Sequence, residues 1–351
     1  MRYPGAKSGL APLIGTLIRA AASHPRIGNI DLLVEPFAGG ASTSLRLVGD
    51  GTVDRILLAD GDPLVAAFWQ IAAQQPQQLI SRMRDEHAEY VQHGGSSALA
   101  RWDYWRQWQP RPGQRPATTR FESAVKCLFL NRTTFSGILH GRAGPIGGRR
   151  QESPYPIGCR YNPETLADRI SYVGHLYSTH RLVDVWCADW RTTLQEVASA
   201  YKALVPNRVV AYLDPPYIEK STKLYSVSFD PAGSSQRQFP HERLAEHLVQ
   251  RMRYRWVLSY DAHPALLDSP MLYARNRMDP SPEDKGDGVR QWRISKRIVE
   301  LSYSASASRS RWNSPELLLT TLPRSIIPVD KSFAMPQAPG EPARPSLSEE
   351  H

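Results

Sequence analysis

The chain has 351 residues, 43 Lys and Arg against 34 Asp and Glu, and a formal net charge of +9, enough length to bury a full core as one large domain carrying an insertion. No apolar run approaches the roughly 20 residues of a membrane span, and the N-terminus shows no signal-peptide pattern. Cys127, Cys159 and Cys187 lie too far apart for a disulfide framework or a zinc site, so free thiols in a reducing cytosol and no bound metal are expected.

In chain order, Arg2-Tyr3-Pro4-Gly5-Ala6-Lys7 forms a turn with a basic end, followed by a helix through Leu10, Leu13, Ile14, Leu17 and Ile18 at helical spacing. Ile30–Val34 reads as a first strand, followed by Glu35 and the small-residue turn Phe37–Ser42, where glycine lets backbone approach a ligand closely. Gly39 and Gly40 are adjacent, so this is not the three-glycine dinucleotide fingerprint and a nicotinamide enzyme is remote. The next strand, Arg55–Ala59, ends in Asp60, the position where an acidic residue characteristically bonds ribose hydroxyls; Asp62 could share that role or cap the helix beginning near Pro63.

Residues 64 to 91 follow a helical pattern divided at Pro76, and Trp102, Trp105 and Trp108 then recur at steps of three. Such spacing favours the apolar face of a helix over a stacking platform. A helix from about Phe121 to Leu130 delivers Asn131-Arg132-Thr133-Thr134-Phe135-Ser136-Gly137. Residues 101 to 150 hold nine Arg and one Lys against Asp103 and Glu122, a balance of 10 − 2 = +8. The chain's excess charge is thus concentrated in one patch, which suits a polyanionic partner. Residues 141 to 161 mix Gly, Pro and Arg around Gly147-Gly148-Arg149-Arg150, a strong turn signal that by itself reads as a solvated loop.

Beyond a helix near Pro163–Leu176, the strand Leu182–Cys187 ends at Ala188-Asp189-Trp190, where Asp189 suits a helix N-cap. The apolar run Arg208–Tyr212 leads into Leu213-Asp214-Pro215-Pro216-Tyr217, whose prolines stop the strand and leave Asp214 at its carboxyl end. That edge is where open α/β sheets bind ligands. Asp214 and the Pro215 carbonyl can each accept from an amino group on a flat base, and Tyr217 offers a face for its ring. Residues 219 to 239 read as a lid or substrate arm, followed by a helix from His241 to Met252 and a strand from Trp256 to Tyr260. A further loop is expected at Asp279–Val289, strands at Arg297–Tyr303 and Leu317–Leu322, and a disordered tail over 324–351.

In this order the blocks resemble the Dam-type DNA adenine methyltransferases. They are Arg2 to Lys7, Glu35-Pro36-Phe37-Ala38-Gly39-Gly40-Ala41-Ser42 and Asp214-Pro215-Pro216-Tyr217, with likenesses also at Leu258-Ser259-Tyr260-Asp261 and at Leu301–Ser306 before Glu316–Thr320. Ala6 stands where the family usually has a second glycine, and residues 141 to 159 depart from its best-known members.

The resemblance implies a Rossmann-like α/β fold of about seven strands with a mainly helical DNA-recognition insertion. The catalytic domain would comprise 1–63 and 179–323, the insertion 64–178, with a reading hairpin near 131–161. It implies transfer of a methyl group from S-adenosylmethionine to the exocyclic amine of adenine in double-stranded DNA after base flipping. Asp214, Pro215 and Tyr217 would be catalytic. Tyr3, Lys7, Glu35, Phe37, Gly39, Asp60 and Asp189 would hold the cofactor, and Asn131, Arg132, Arg142, Arg149, Arg150 and Arg160 would meet DNA. It also implies a cytoplasmic place at the nucleoid of a bacterium, or with phage DNA. A companion restriction nuclease or defence subunit is not readable from the residues. Two alternatives remain at this point: an inactive DNA-binding protein of the same fold, or a methyltransferase acting on cytosine or RNA.

Overall fold

In the computed structural model, which describes residues 9–217, 239–263, 292–303 and 312–336 together with Leu266 and Tyr273, seven strands form one sheet. They are β1 (Leu32–Glu35), β2 (Arg55–Asp60), β3 (Leu182–Cys187), β4 (Val209–Leu213), β5 (Arg255–Asp261), β6 (Ser295–Tyr303) and β7 (Trp312–Thr320), in the order β3-β2-β1-β4-β5-β7-β6. The pairs β1/β2, β1/β4, β2/β3 and β4/β5 are parallel, while β7 runs antiparallel to both β5 and β6. β1 and β4 are buried along their whole length, as expected of parallel strands covered on both faces.

Alternate residues feed two apolar layers. Leu33, Ile56, Leu58, Val210 and Tyr212 face one core, shared with α1 (Ala11–Ala22), α2 (Ser42–Gly49) and α3 (Pro63–Gln74). Leu32, Val34, Leu57, Ala59, Val209 and Ala211 face the other, with α8 (Trp190–Ala200) and α9 (His241–Gln250). Between α3 and β3 the chain adds α4 (Pro76–Glu86), α5 (Gly95–Gln107), α6 (Pro116–Thr133) and α7 (Pro163–Ser178), with a π-helical turn at His87–Val91. Trp102 and Trp105 are buried in the core that these helices share with the sheet, so the tryptophan spacing is a packing face.

Strand order reverses direction between β1 and β4, and their register, Val34 opposite Ala211, brings the segments after both strands to one edge. That topological switch point is where a doubly wound sheet opens a crevice.

Near 131–161, where a reading hairpin is expected, the chain runs through turns with one antiparallel bridge, Thr134 to Pro145; Phe135 N–H donates to Gly144 O at 3.0 Å and Ile146 N–H to Thr133 O at 2.8 Å. Gly137, Gly141, Gly147 and Gly148 at positive φ, with Pro145, Pro154 and Pro156 nearby, break any longer ladder. Gln151 closes the turns instead. Its amide donates to Ile146 O at 2.8 Å and Gly148 O at 2.6 Å, and its carbonyl accepts from Ile157 N–H at 2.9 Å.

The disorder expected over 324–351 does not hold for residues 324–336, and the remainder lies outside the described residues. Short 3₁₀ turns at Arg324–Ile326 and Lys331–Phe333 bury Ile327 and Phe333, and Ala334 exchanges two backbone hydrogen bonds with Ile298 on β6, at 2.7 and 2.9 Å. Isolated apolar residues without a period give no sequence signal of docking, yet each fills a slot against the fold.

Candidate active site and DNA-facing segment

At the end of β1 the turn after Glu35 is fastened from three directions. Ala38 N–H donates to Ala59 O at 2.9 Å, Gly39 N–H to Asp60 Oδ2 at 2.8 Å, and Trp69 Nε1–H to Gly39 O at 2.9 Å. Gly39 has φ 44° and Ala41 φ 49°, the left-handed region, so the turn brings bare backbone to the crevice. Glu35 is buried, and its Oε2 has no hydrogen-bond partner among the described residues. Burial, reinforced by the nearby charges of Asp214 and Asp60, pushes its carboxyl up to about 8. Phe37 lies edge-on to Phe239, with ring centroids 5.6 Å apart.

Asp60 ends β2 and accepts from two backbone amides, Gly39 N–H on Oδ2 and Asp62 N–H on Oδ1, both at 2.8 Å. Burial and the neighbouring Asp62 push its carboxyl up to about 7, against the opposing pull of those two amides. Asp62 caps α3 through Leu64 N–H at 2.9 Å and meets His140 Nε2 at 2.6 Å. Asp189 caps α8, accepting from Arg191 N–H at 2.7 Å and Thr192 N–H at 3.1 Å.

At the end of β4, Asp214 is half-buried between buried Leu213 and Pro215. A relay orients it. Tyr212 O–H lies 3.1 Å from Ser259 Oγ on β5, and Ser259 O–H donates to Asp214 Oδ1 at 3.0 Å. Tyr217 is buried, and its O–H donates to Glu316 Oε2 on β7 at 2.7 Å. Burial, with the charges of Asp214 and Glu316, drives the Tyr217 phenol strongly upward, so it stays a donor. Its ring lies 6.1 Å from that of Tyr260, whose O–H meets His241 Nδ1 at 2.9 Å. Ser259 and Glu316 were visible in the sequence as parts of recurring blocks; their roles emerge only when β5 and β7 lie beside β4.

The sheet thus gathers Glu35, Phe37, Gly39, Asp60 and the Asp214-Pro215-Tyr217 group at one edge. Tyr3 and Lys7 lie outside the described residues, as do residues 219–238 of the arm expected over 219–239 and the loop at Asp279–Val289.

A family model, the D12 class N6 adenine-specific DNA methyltransferase, matches residues 3–142. Over those residues the chain is similar to that family. No curated protein matches it. The matched stretch takes in Glu35, Phe37, Gly39 and Asp60 and ends before β4; Asp214 lies outside it and shares the sheet edge with those residues.

The basic segment divides into anchored and presented residues. Arg101 forms a two-pronged pair with buried Glu86, and Arg106 donates to Leu139 O at 2.9 Å and also to Gly141 O. Both hold the insertion together. Asn131 and Arg132, expected to meet DNA, are buried at the end of α6, with Asn131 Nδ2 donating to Gly137 O at 3.3 Å; they support the segment from beneath. Arg142, Arg149 and Arg150 are exposed, Arg149 bonding Asp103 through both guanidinium prongs at 2.6 and 2.7 Å. Arg160 is half-buried with Nη1 unpartnered among the described residues. Phe135 is 63% exposed and Tyr155 61% exposed, two aromatic faces in the same segment that charge counting overlooked. Among the described residues no helix is long and apolar enough to cross a membrane, and no cluster could hold a metal ion.

Proposed function

We propose that this DNA methyltransferase takes its methyl group from S-adenosylmethionine and acts on an adenine swung out of the duplex into the crevice beside Asp214. The convergence of two carboxyl-lined turns and the Asp214 group at the β1/β4 switch point carries this reading. The residues suit that cofactor. Glu35 offers a buried carboxyl oxygen lacking a partner among the described residues, Asp60 a carboxyl for ribose hydroxyls, Gly39 bare backbone, and Phe37 an aromatic ring. Asp189 keeps room for a second task beside its cap, contact with an amino group, and Tyr3 and Lys7 would complete the enclosure. When bound, the cofactor supplies a methyl group made electrophilic by its sulfonium.

The protein's own contribution is placement. An exocyclic amine conjugated to a purine is a poor nucleophile because its lone pair is delocalised into the ring. Asp214 and the Pro215 carbonyl accept its two hydrogens, which localises the lone pair and fixes its direction, while the Ser259 relay keeps the Asp214 carboxyl from rotating. Tyr217, tied to Glu316, holds the ring face of the base. Most of the barrier reduction comes from positioning and fixed dipoles. A paired adenine cannot bring its amine to a crevice at a sheet edge, so flipping is required.

On the DNA side, Arg142, Arg149, Arg150 and Arg160 meet the duplex, and exposed Phe135 stacks against or wedges between bases. The catalytic body is proposed as 1–63 and 179–323 and the recognition insertion as 64–178. Oligonucleotides carrying the methylated motif, defined by methylation-sensitive sequencing, with 2-aminopurine at the target adenine test the flipping step. A fluorescence rise on binding supports it; binding and methylation of the parent duplex with no rise would remove flipping from the account.

A further inference from the structure

His140 sits on the recognition segment, 78 residues from Asp62, yet its Nε2 lies 2.6 Å from Asp62 Oδ2. The backbone on both sides of His140 is anchored. Leu139 O and Gly141 O both accept from Arg106, whose guanidinium rests 5.4 Å from the centre of the Trp102 ring, and Trp102 Nε1–H donates to Thr134 Oγ1 at 3.0 Å. α5 therefore sets where the imidazole points.

From His140 three hydrogen bonds run without a gap to the glycine turn: His140 to Asp62 at 2.6 Å, Asp62 N–H to Asp60 Oδ1 at 2.8 Å, and Gly39 N–H to Asp60 Oδ2 at 2.8 Å. Asp62 is buried and spends its other oxygen capping α3. Without the imidazole, a buried carboxyl oxygen beside Asp60 loses its partner, a costly arrangement. Asp62 would then rotate off the cap or shift its own backbone, and Asp60 would move with it. A cap on α3 alone has no need of a histidine from the distant segment.

We propose that His140 is a positioning residue for Asp60, acting through Asp62, so that the recognition segment helps hold the carboxyl that receives the vicinal diol of a nucleoside cofactor. This rests on the reading of Asp60 as a cofactor contact, and the test separates the two.

The full-length chain and its His140→Ala, His140→Gln, Asp62→Asn and Asp60→Asn variants are compared for Kd and KM of S-adenosylmethionine, KM of DNA, kcat and Tm. His140→Ala raises Kd and KM for S-adenosylmethionine about tenfold, equivalent to about 1.4 kcal/mol. Its kcat and KM for DNA change little by comparison, while Tm falls because Asp62 loses a buried partner. His140→Gln, whose amide donates to Asp62, recovers most of the loss, and His140→Ala adds little on top of Asp62→Asn. If His140→Ala leaves cofactor affinity intact while Asp60→Asn weakens it, the inference fails and the site reading stands. If Asp60→Asn itself leaves that affinity intact, the site reading fails and takes the inference with it. A parallel decline of every parameter without rescue by His140→Gln, or a change in DNA affinity alone, also overturns it. Should His140→Ala not fold, His140→Gln against the shorter His140→Asn gives the same comparison.

Discussion

Replacing Tyr217 by Phe removes one oxygen and nothing else from the aromatic group at the end of β4. That oxygen donates to Glu316 Oε2 at 2.7 Å, and the two residues are only 7% and 2% exposed, so water cannot replace the lost bond. Losing a buried hydrogen bond to a charged group costs about 1.5–3 kcal/mol. With roughly 2–4 °C of Tm per kcal/mol, a central loss of about 2 kcal/mol lowers Tm by about 4–8 °C. The ring survives, so a flipped base keeps its stacking face; methyl transfer should fall less for Tyr217→Phe than for Tyr217→Ala. Calorimetric unfolding beside initial methylation rates makes the measurement. An unchanged Tm would refute the energetic argument. Complete loss of turnover at unchanged Tm would show that the phenol oxygen, and not the ring, does the work.

Glu35 and Asp60 should make the ligand-free protein less stable in alkali. Their folded carboxyls are pushed up to about 8 and about 7 from ordinary values of 4.5 and 3.8, so the folded state retains protons that the unfolded chain gives up. That contribution is complete below the unfolded values and declines as pH rises through the folded ones. Tm should therefore be lower at pH 9 than at pH 6, with Glu35→Gln flattening the difference; a Tm rising over this range contradicts the sign. Ending the chain at Pro323 exposes the slots of Ile327 and Phe333, a loss of about 3–6 kcal/mol at about 1.5–3 kcal/mol per side chain. An unchanged Tm would show that the tail's docking is energetically idle. The proposal that at least one of the exposed Arg142, Arg149 and Arg150 reads guanine predicts that its change to Ala costs about 1–3 kcal/mol of discrimination and relaxes one position of the methylated motif. Uniform loss of affinity for all three, with the motif intact, would leave the segment a phosphate clamp.

The sheet was legible because a parallel strand covered on both faces leaves a continuous apolar run, as at Leu32–Val34 and Val209–Leu213. Asp60 and Asp214 were legible for a related reason, each being a carboxylate where such a run stops. β7 was seen only in its apolar half. Its first residues, Trp312 to Pro315, pair with β6 near the sheet edge and carry no such run. The partners of the site residues were harder to find. Ser259 and Glu316 reach Asp214 and Tyr217 across 45 and 99 positions of chain, and His140 reaches Asp62 across 78. No local period encodes such pairings. Charge counting found the basic segment and failed to rank its members, because Arg101 and Arg106 spend their donors on Glu86 and on loop carbonyls.

The most direct test incubates purified protein with S-adenosylmethionine carrying a labelled methyl group and unmethylated double-stranded DNA, then digests the DNA to nucleosides. The account predicts label in N6-methyladenine for the wild type. It predicts none for Asp214→Ala, which should still bind the cofactor. Label in cytosine, or Asp214→Ala turning over at the wild-type rate, would contradict it.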